Sequence, residues 1–93
     1  MIQRLSSSEA KKHLKNLKYW SIVKNHLEKE YEFEDFSQAL DFVNRVAIVA
    51  EKLDHHPDIY LSYGKVKIIL YTHSIKGLSE KDFNLATFVD KIK

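Results

Sequence analysis

The spacing of apolar residues predicts an α+β fold with two layers. A four-stranded antiparallel sheet carries helices on one face, in the order α-β-β-α-β-β-α. Two observations carry this. Residues 27–34 and 59–70 alternate apolar and polar side chains with the period of half-exposed strands. Three other segments keep helical spacing, and each opens on Ser or Asp followed three residues later by Glu, Gln or Asp, the sign of a capped first turn. Two hairpins separated by helices can pair into one sheet whose buried face takes the helices.

Ser6 with Glu9 opens the first helix, and Ala10, Leu14 and Leu17 carry its apolar stripe to about residue 18, with His13 facing solvent. Aromatic and β-branched residues over 19–24 predict a strand, Asn25-His26 a two-residue turn, and 27–34 its partner. Leu27, Lys29, Tyr31 and Phe33 share one face; Glu28, Glu30, Glu32 and Glu34 share the other, a solvated row that discourages edge pairing. Asp35 with Gln38 starts a central helix reaching about Leu53. Its stripe of Phe36, Ala39, Leu40, Val43, Val46, Ala47, Ala50 and Leu53 is widened by Phe42 and Val49 to roughly half the circumference. One sheet face needs less than that, so the excess predicts a second subunit, or a third helix packed within the chain.

Pro57 ends the helical region, because the residue before proline leaves the helical basin and proline donates no hydrogen bond. His55 and His56 therefore fall on a helix-to-strand corner. Ile59, Leu61 and Tyr63 alternate as a third strand, Gly64 turns the chain, and Val66, Ile68 and Leu70 face inward on a fourth. Parity puts His73 on the opposite face with Lys67, Ile69 and Tyr71 unless the strand has already ended. After a loop over 74–78, Ser79 and Asp82 open a last helix bearing Phe83, Leu85, Ala86, Phe88, Val89 and Ile92.

Ninety-three residues, 44% of them hydrophobic, suffice for one modest core, so the expectation is a single domain over 1–93. No cysteine is present, which removes disulfide frameworks and thiolate metal sites and fits a reducing compartment. The apolar runs are too short to span a bilayer, and the first residues lack a signal-peptide core, so cytoplasmic residence without membrane contact is expected. Fifteen basic against 13 acidic residues leave a net charge of only +2, with lysines scattered, which disfavours nucleic acid as a partner.

Chemistry concentrates in and after Glu51-Lys-Leu-Asp-His-His-Pro57. Two adjacent histidines at an element boundary, with His73 and the carboxylates of Glu51, Asp54 and Asp82, invite acid–base work, because imidazole exchanges protons near neutrality. Glu51, His55-His56-Pro57, Tyr63, His73 and Asp82 are separated by three, five, nine and eight residues. That pattern resembles the signature of the pterin-4a-carbinolamine dehydratase family. The likeness extends through Thr72-His73 to Gly77-Leu-Ser-Glu-Lys-Asp-Phe-Asn-Leu-Ala86, and the element order fits the family's fold along nearly the whole chain. Two mild departures stand out: Gly64 occupies a turn where relatives often carry asparagine, and Ser74 follows His73 where some carry an acidic residue.

The resemblance implies a 4a-hydroxytetrahydropterin substrate, dehydrated to quinonoid dihydropterin during recycling of the pterin cofactor of aromatic amino-acid hydroxylases, with no metal or other cofactor. On this reading His55 and His73 form the proton-transfer pair and His56 orients the pterin. Glu51 and Asp82 tune a histidine or bind substrate, beside the plainer roles of a solvated helix position and a helix cap; Tyr63 has only a packing role. A homotetramer is expected, with a dimer as second choice. The family's animal members also act as dimerisation cofactors of a homeodomain transcription factor, so a protein-binding role for the central helix is the alternative. A zinc hydrolase is a further one, although adjacent His55 and His56 make awkward co-ligands.

Overall fold

The structure, a computed structural model, describes residues 2–93. Three helices pack on one face of a four-stranded antiparallel sheet in the expected order. Helix α1, Ser7–Leu14, starts with a reciprocal cap: Ser6 Oγ accepts the Glu9 amide at 3.2 Å while Glu9 Oε1 accepts the Ser6 amide at 2.8 Å. The helix stops four residues short of the expected end. Bonds from Lys15, Asn16 and Leu17 to carbonyls three residues back tighten the chain into turns, which keep Leu17 half-buried without helix. His13 does not simply face solvent either. It is half-buried and stacks on Phe83, with ring centroids 5.1 Å apart.

Strands β1, Ser21–Val23, and β2, His26–Glu32, are joined by Lys24-Asn25, one residue earlier than expected. Both loop residues take positive φ, 49° and 66°, the conformation that lets a two-residue loop follow the twist of its strands. Strand β2 pairs β4, Lys65–Leu70, which pairs β3, Asp58–Ser62, giving the spatial order β1-β2-β4-β3. Leu27 lies opposite Leu70 and Tyr31 opposite Val66, all four buried on the face the helices cover. Lys29 shares that face. Its Nζ reaches Asp90 of helix α3, Glu80–Ile92, at 2.7 Å, and the same carboxylate accepts Trp20 Nε1 at 3.0 Å and the Tyr31 hydroxyl. Burial, and then the bond to Asp90, push the Tyr31 phenol far above the ordinary tyrosine range.

Helix α2, Phe36–Leu53, begins with Asp35 accepting the Gln38 amide at 2.8 Å. Asp54 stops it in the left-handed conformation, φ 51°, its N–H returned to Ala50 and Glu51, so the stop precedes Pro57 by three residues. Ala39, Phe42, Val46 and Ala50 form its buried stripe. Phe42, read from sequence as widening the band, sits at its centre against Tyr31 and Phe33, with centroids 4.7 and 5.1 Å away. The exposed apolar residues of α2 are instead Phe36, Leu40, Ala47, Ile48 and Leu53, the first three on one face with half-buried Val43.

Tyr63 is no strand residue. Ser62 pairs with Lys65, so Tyr63 and Gly64 form the loop and Tyr63 is 69% exposed. Gly64 does not use left-handed backbone; its hydrogen faces the Phe33 carbonyl, which a Cβ would meet at 2.9 Å. Beyond β4, Thr72 bridges Gly77, and the chain between them makes a 3₁₀ turn, His73–Ile75. Phe83, Leu85, Ala86 and Val89 of α3 complete the core, and Phe88 is left exposed. No described helix is long and apolar enough to cross a membrane.

Candidate functional site

Four chain segments meet at one end of the sheet: the end of α2, the start of β3, the exit from β4 and the first turn of α3. The αL stop at Asp54 turns the chain off the helix just before His55, while the end of β4 at Leu70 frees His73 from strand parity. That resolves the ambiguity about its face. His55, His56 and His73 line a single cleft of about 470 Å³, together with Tyr71, Thr72 and Lys81, and with Ile2 from the N-terminal segment. Larger hollows of about 600 and 640 Å³ lie against α1 and beside Lys29, and neither gathers a histidine.

Asp82 lies behind this cleft and is fully buried. Its Oδ1 faces His55 Nε2 at 2.6 Å, and Oδ2 accepts the Thr72 hydroxyl at 2.7 Å and the Ser79 amide at 3.0 Å. Thr72 has one hydrogen and spends it on Asp82, so the 2.8 Å contact between Thr72 Oγ1 and Ser79 Oγ is donated by the serine. A carboxylate only accepts, so the proton it faces resides on His55 Nε2 and the other ring nitrogen, Nδ1, is left for a ligand. Burying a carboxylate is costly unless its lone pairs are filled, and here three donors fill them. The capping position and the histidine partner are one and the same residue. Because Asp82 has no accessible surface, its reach toward anything in the cleft runs through His55.

Glu51 stands apart from this network. Its Oε1 meets His56 Nε2 at 3.3 Å, five residues on, and both side chains are exposed, 77% and 56%. Such a contact is screened by water and orients His56 only weakly. His73 is exposed in the 3₁₀ turn with its ring edge-on to Tyr71, centroids 5.0 Å apart. Among the described residues no group of three or more His, Asp or Glu side chains converges as metal ligands.

The structure thus brings His55, His56 and His73 to one cleft, sets Asp82 beneath it and leaves Glu51 outside its lining, joined only to His56. The capping pair of Ser79 and Asp82 is present as the sequence predicts, while sequence reading missed Thr72 as a further partner of Asp82, and Tyr71 and Lys81 as walls. Thr72 depends on a strand end that parity does not reveal.

A family model for pterin 4 alpha carbinolamine dehydratase matches residues 3–92. The chain belongs to this family. A provisionally named pterin-4-alpha-carbinolamine dehydratase from Alkaliphilus metalliredigens is 49% identical over 89 residues, covering 94% of this chain and 80% of the relative. Another so named, from a Picosynechococcus strain, is 42% identical over 92 residues, covering 99% of this chain and all of the relative. The crystal structure of a transcriptional coactivator/pterin dehydratase from Brucella melitensis superposes with a TM-score of 0.93 at 37% identity, over 97% of this chain and 98% of that one. The histidine cleft therefore lies within a pterin dehydratase-type fold.

Proposed function

We propose that the chain dehydrates a 4a-hydroxytetrahydropterin to quinonoid dihydropterin and water. The observation that carries this is His55, held on Nε2 by a buried carboxylate and opening on the same cleft as His73. In the reaction one proton reaches the 4a-hydroxyl, the carbon–oxygen bond breaks with loss of water, and the neighbouring ring nitrogen gives up its proton as the carbon–nitrogen double bond forms. Groups that give and take protons near neutrality suffice, and positioned ones contribute about 10²- to 10⁴-fold. His55 and His73 carry these transfers, each serving as acid for the hydroxyl on one face of the pterin. His56 orients the ring, Glu51 steadies His56, and Asp82 holds His55 through its Nε2 proton and offsets the charge of the doubly protonated ring that donates from Nδ1. The exposed apolar strip of α2, Phe36, Leu40 and Ala47, supports assembly into a dimer or tetramer.

The test generates the carbinolamine in situ with a hydroxylase and follows its dehydration with and without the protein. Acceleration is expected, lost in the His55→Ala, His73→Ala double variant and unchanged by exhaustive chelation. Single variants should each lose mainly one stereoisomer. No acceleration by the intact protein would refute the activity.

A further inference from the structure

Of the three cleft histidines, His73 is the one without a polar tether. Among the described residues, hydrogen bonds hold His55 to Asp82 and His56 to Glu51, and none reaches the His73 ring. Ser74 follows it, so no carboxylate stands next in the chain. Its backbone sits in a three-residue 3₁₀ turn and its side chain is exposed. A free side chain in that setting samples several rotamers, and a proton donor that wanders is a poor one.

The contact it does make is with Tyr71, ring planes at 84° and centroids 5.0 Å apart, the edge-to-face geometry that aromatic pairs favour. Tyr71 is itself fixed. Leu27 pairs with Leu70 and both face the core, so the residues just outside that pair, His26 and Tyr71, project from the opposite face of the sheet. Their rings pack with centroids 4.2 Å apart. His26 is in turn placed by the two-residue loop that starts β2. Three rings, His26, Tyr71 and His73, thus run from the open face of the sheet into the cleft, and Tyr71 lines the cleft as well.

We infer that Tyr71, buttressed by His26, is the positioning residue for His73, doing with an aromatic ring what Asp82 does for His55 with a carboxylate. This rests on the proposed role of His73, and the two ideas separate experimentally. The contact involves the ring and not the hydroxyl, so Tyr71→Phe should preserve function while Tyr71→Leu should not. Replacing the ring should cost about two- to twelvefold, the range such pairs span, in kcat and not in KM.

The experiment measures kcat and KM of Tyr71→Leu, Tyr71→Phe and His26→Ala on each carbinolamine stereoisomer, and records the His73 ring C–H resonances by NMR. Expected are a displaced His73 resonance and a lowered kcat in Tyr71→Leu, confined to the isomer that His73→Ala impairs. His26→Ala should show the same effects to a smaller degree, and Tyr71→Phe neither. An unmoved His73 resonance in Tyr71→Leu, equal losses on both isomers, or a Tyr71→Phe variant as impaired as Tyr71→Leu would overturn the inference. Should the intact protein lack dehydratase activity, the functional reading falls while the NMR comparison still decides whether Tyr71 holds His73.

Discussion

Ser79 donates its backbone N–H, and Thr72 its hydroxyl, to the same oxygen of Asp82, which determines how an amide at position 82 would sit. The amide oxygen must take the place of Oδ2, since an NH₂ group there would confront the Ser79 N–H. The NH₂ then faces His55 Nε2 and forces that nitrogen to accept, so a ring protonated on both nitrogens, the form that can donate from Nδ1, loses its hydrogen bond and its counter-charge. Asp82→Asn is therefore expected to keep the fold and to lower dehydration of the isomer served by His55 by about 10²- to 10⁴-fold, as seen by steady-state kinetics beside an unchanged circular dichroism spectrum. Thr72→Val should cost stability instead. It deprives a buried carboxylate of one donor and the Ser79 hydroxyl of its acceptor, about 1–3 kcal/mol in urea unfolding. The sequence exposed His55, His56, His73 and Asp82 as a group because their side chains are chemically rare. It could not assign Asp82 to His55, since a capping acid and a histidine partner look alike until the first turn of α3 is placed against the end of α2.

At the level of the elements, α3 is tied to the sheet by the Asp90 carboxylate, which collects Trp20, Lys29 and Tyr31. Alternation alone put Lys29 on the inward face; what makes the position tolerable is an acid 61 residues away, which no local pattern announces. Removing one partner should hurt more than removing both. Asp90→Leu leaves a cation among aromatic rings and is expected to cost about 2 kcal/mol, less than the 3–5 of a fully buried pair because the side chains are 13% and 27% exposed. Pairing it with Lys29→Met should restore in denaturant titrations the share of the loss due to the cation, and not the share due to the Trp20 and Tyr31 donors left without an acceptor. Helix α1 supplies a pH handle. The Ser6 amide, then the Ser6 hydroxyl, hold the Glu9 carboxyl below its ordinary 4.5, so the cap's contribution is complete above that pH and disappears as pH falls through the lowered value. NMR shifts over Ser7–Leu14 should report fraying in that acid window, and Glu9→Gln should abolish the pH dependence. Element order and most capping residues were legible because each is encoded within four neighbouring residues. The early end of α1 and the displaced loop at Lys24-Asn25 were not, because two positive φ angles and a tightened turn leave little trace in hydrophobic spacing.

On the scale of the whole molecule, the open question of the over-wide α2 band has a spatial answer. Phe42 belongs to the core, so a charge there would unfold the chain and say nothing about association. Leu40, 40% exposed between Phe36 and Val43, is the informative position. Leu40→Glu is expected to leave the unfolding midpoint of the monomer nearly unchanged and to shift sedimentation toward the monomer, since an unpaired carboxylate is costly only when association buries it. A wild-type protein that sediments solely as a monomer at micromolar concentration would remove the basis for that interface.

The N-terminal segment is also part of the cleft's architecture. Leu5 donates its amide to Leu78 at 2.8 Å, Arg4 lies so close over Gly77 that a Cβ there would meet its Nε at 2.6 Å, and Ile2 lines the cleft beside the histidines. Lys93 sits at the other end of the sheet, its ammonium 4.6 Å from the Phe33 ring, near the Gly64 loop. Ile2 and Lys93 are therefore unequal as attachment points. A fluorescent reporter coupled at Ile2 would sit in the histidine cleft and crowd it, while the same reporter coupled at Lys93 would leave the cleft open.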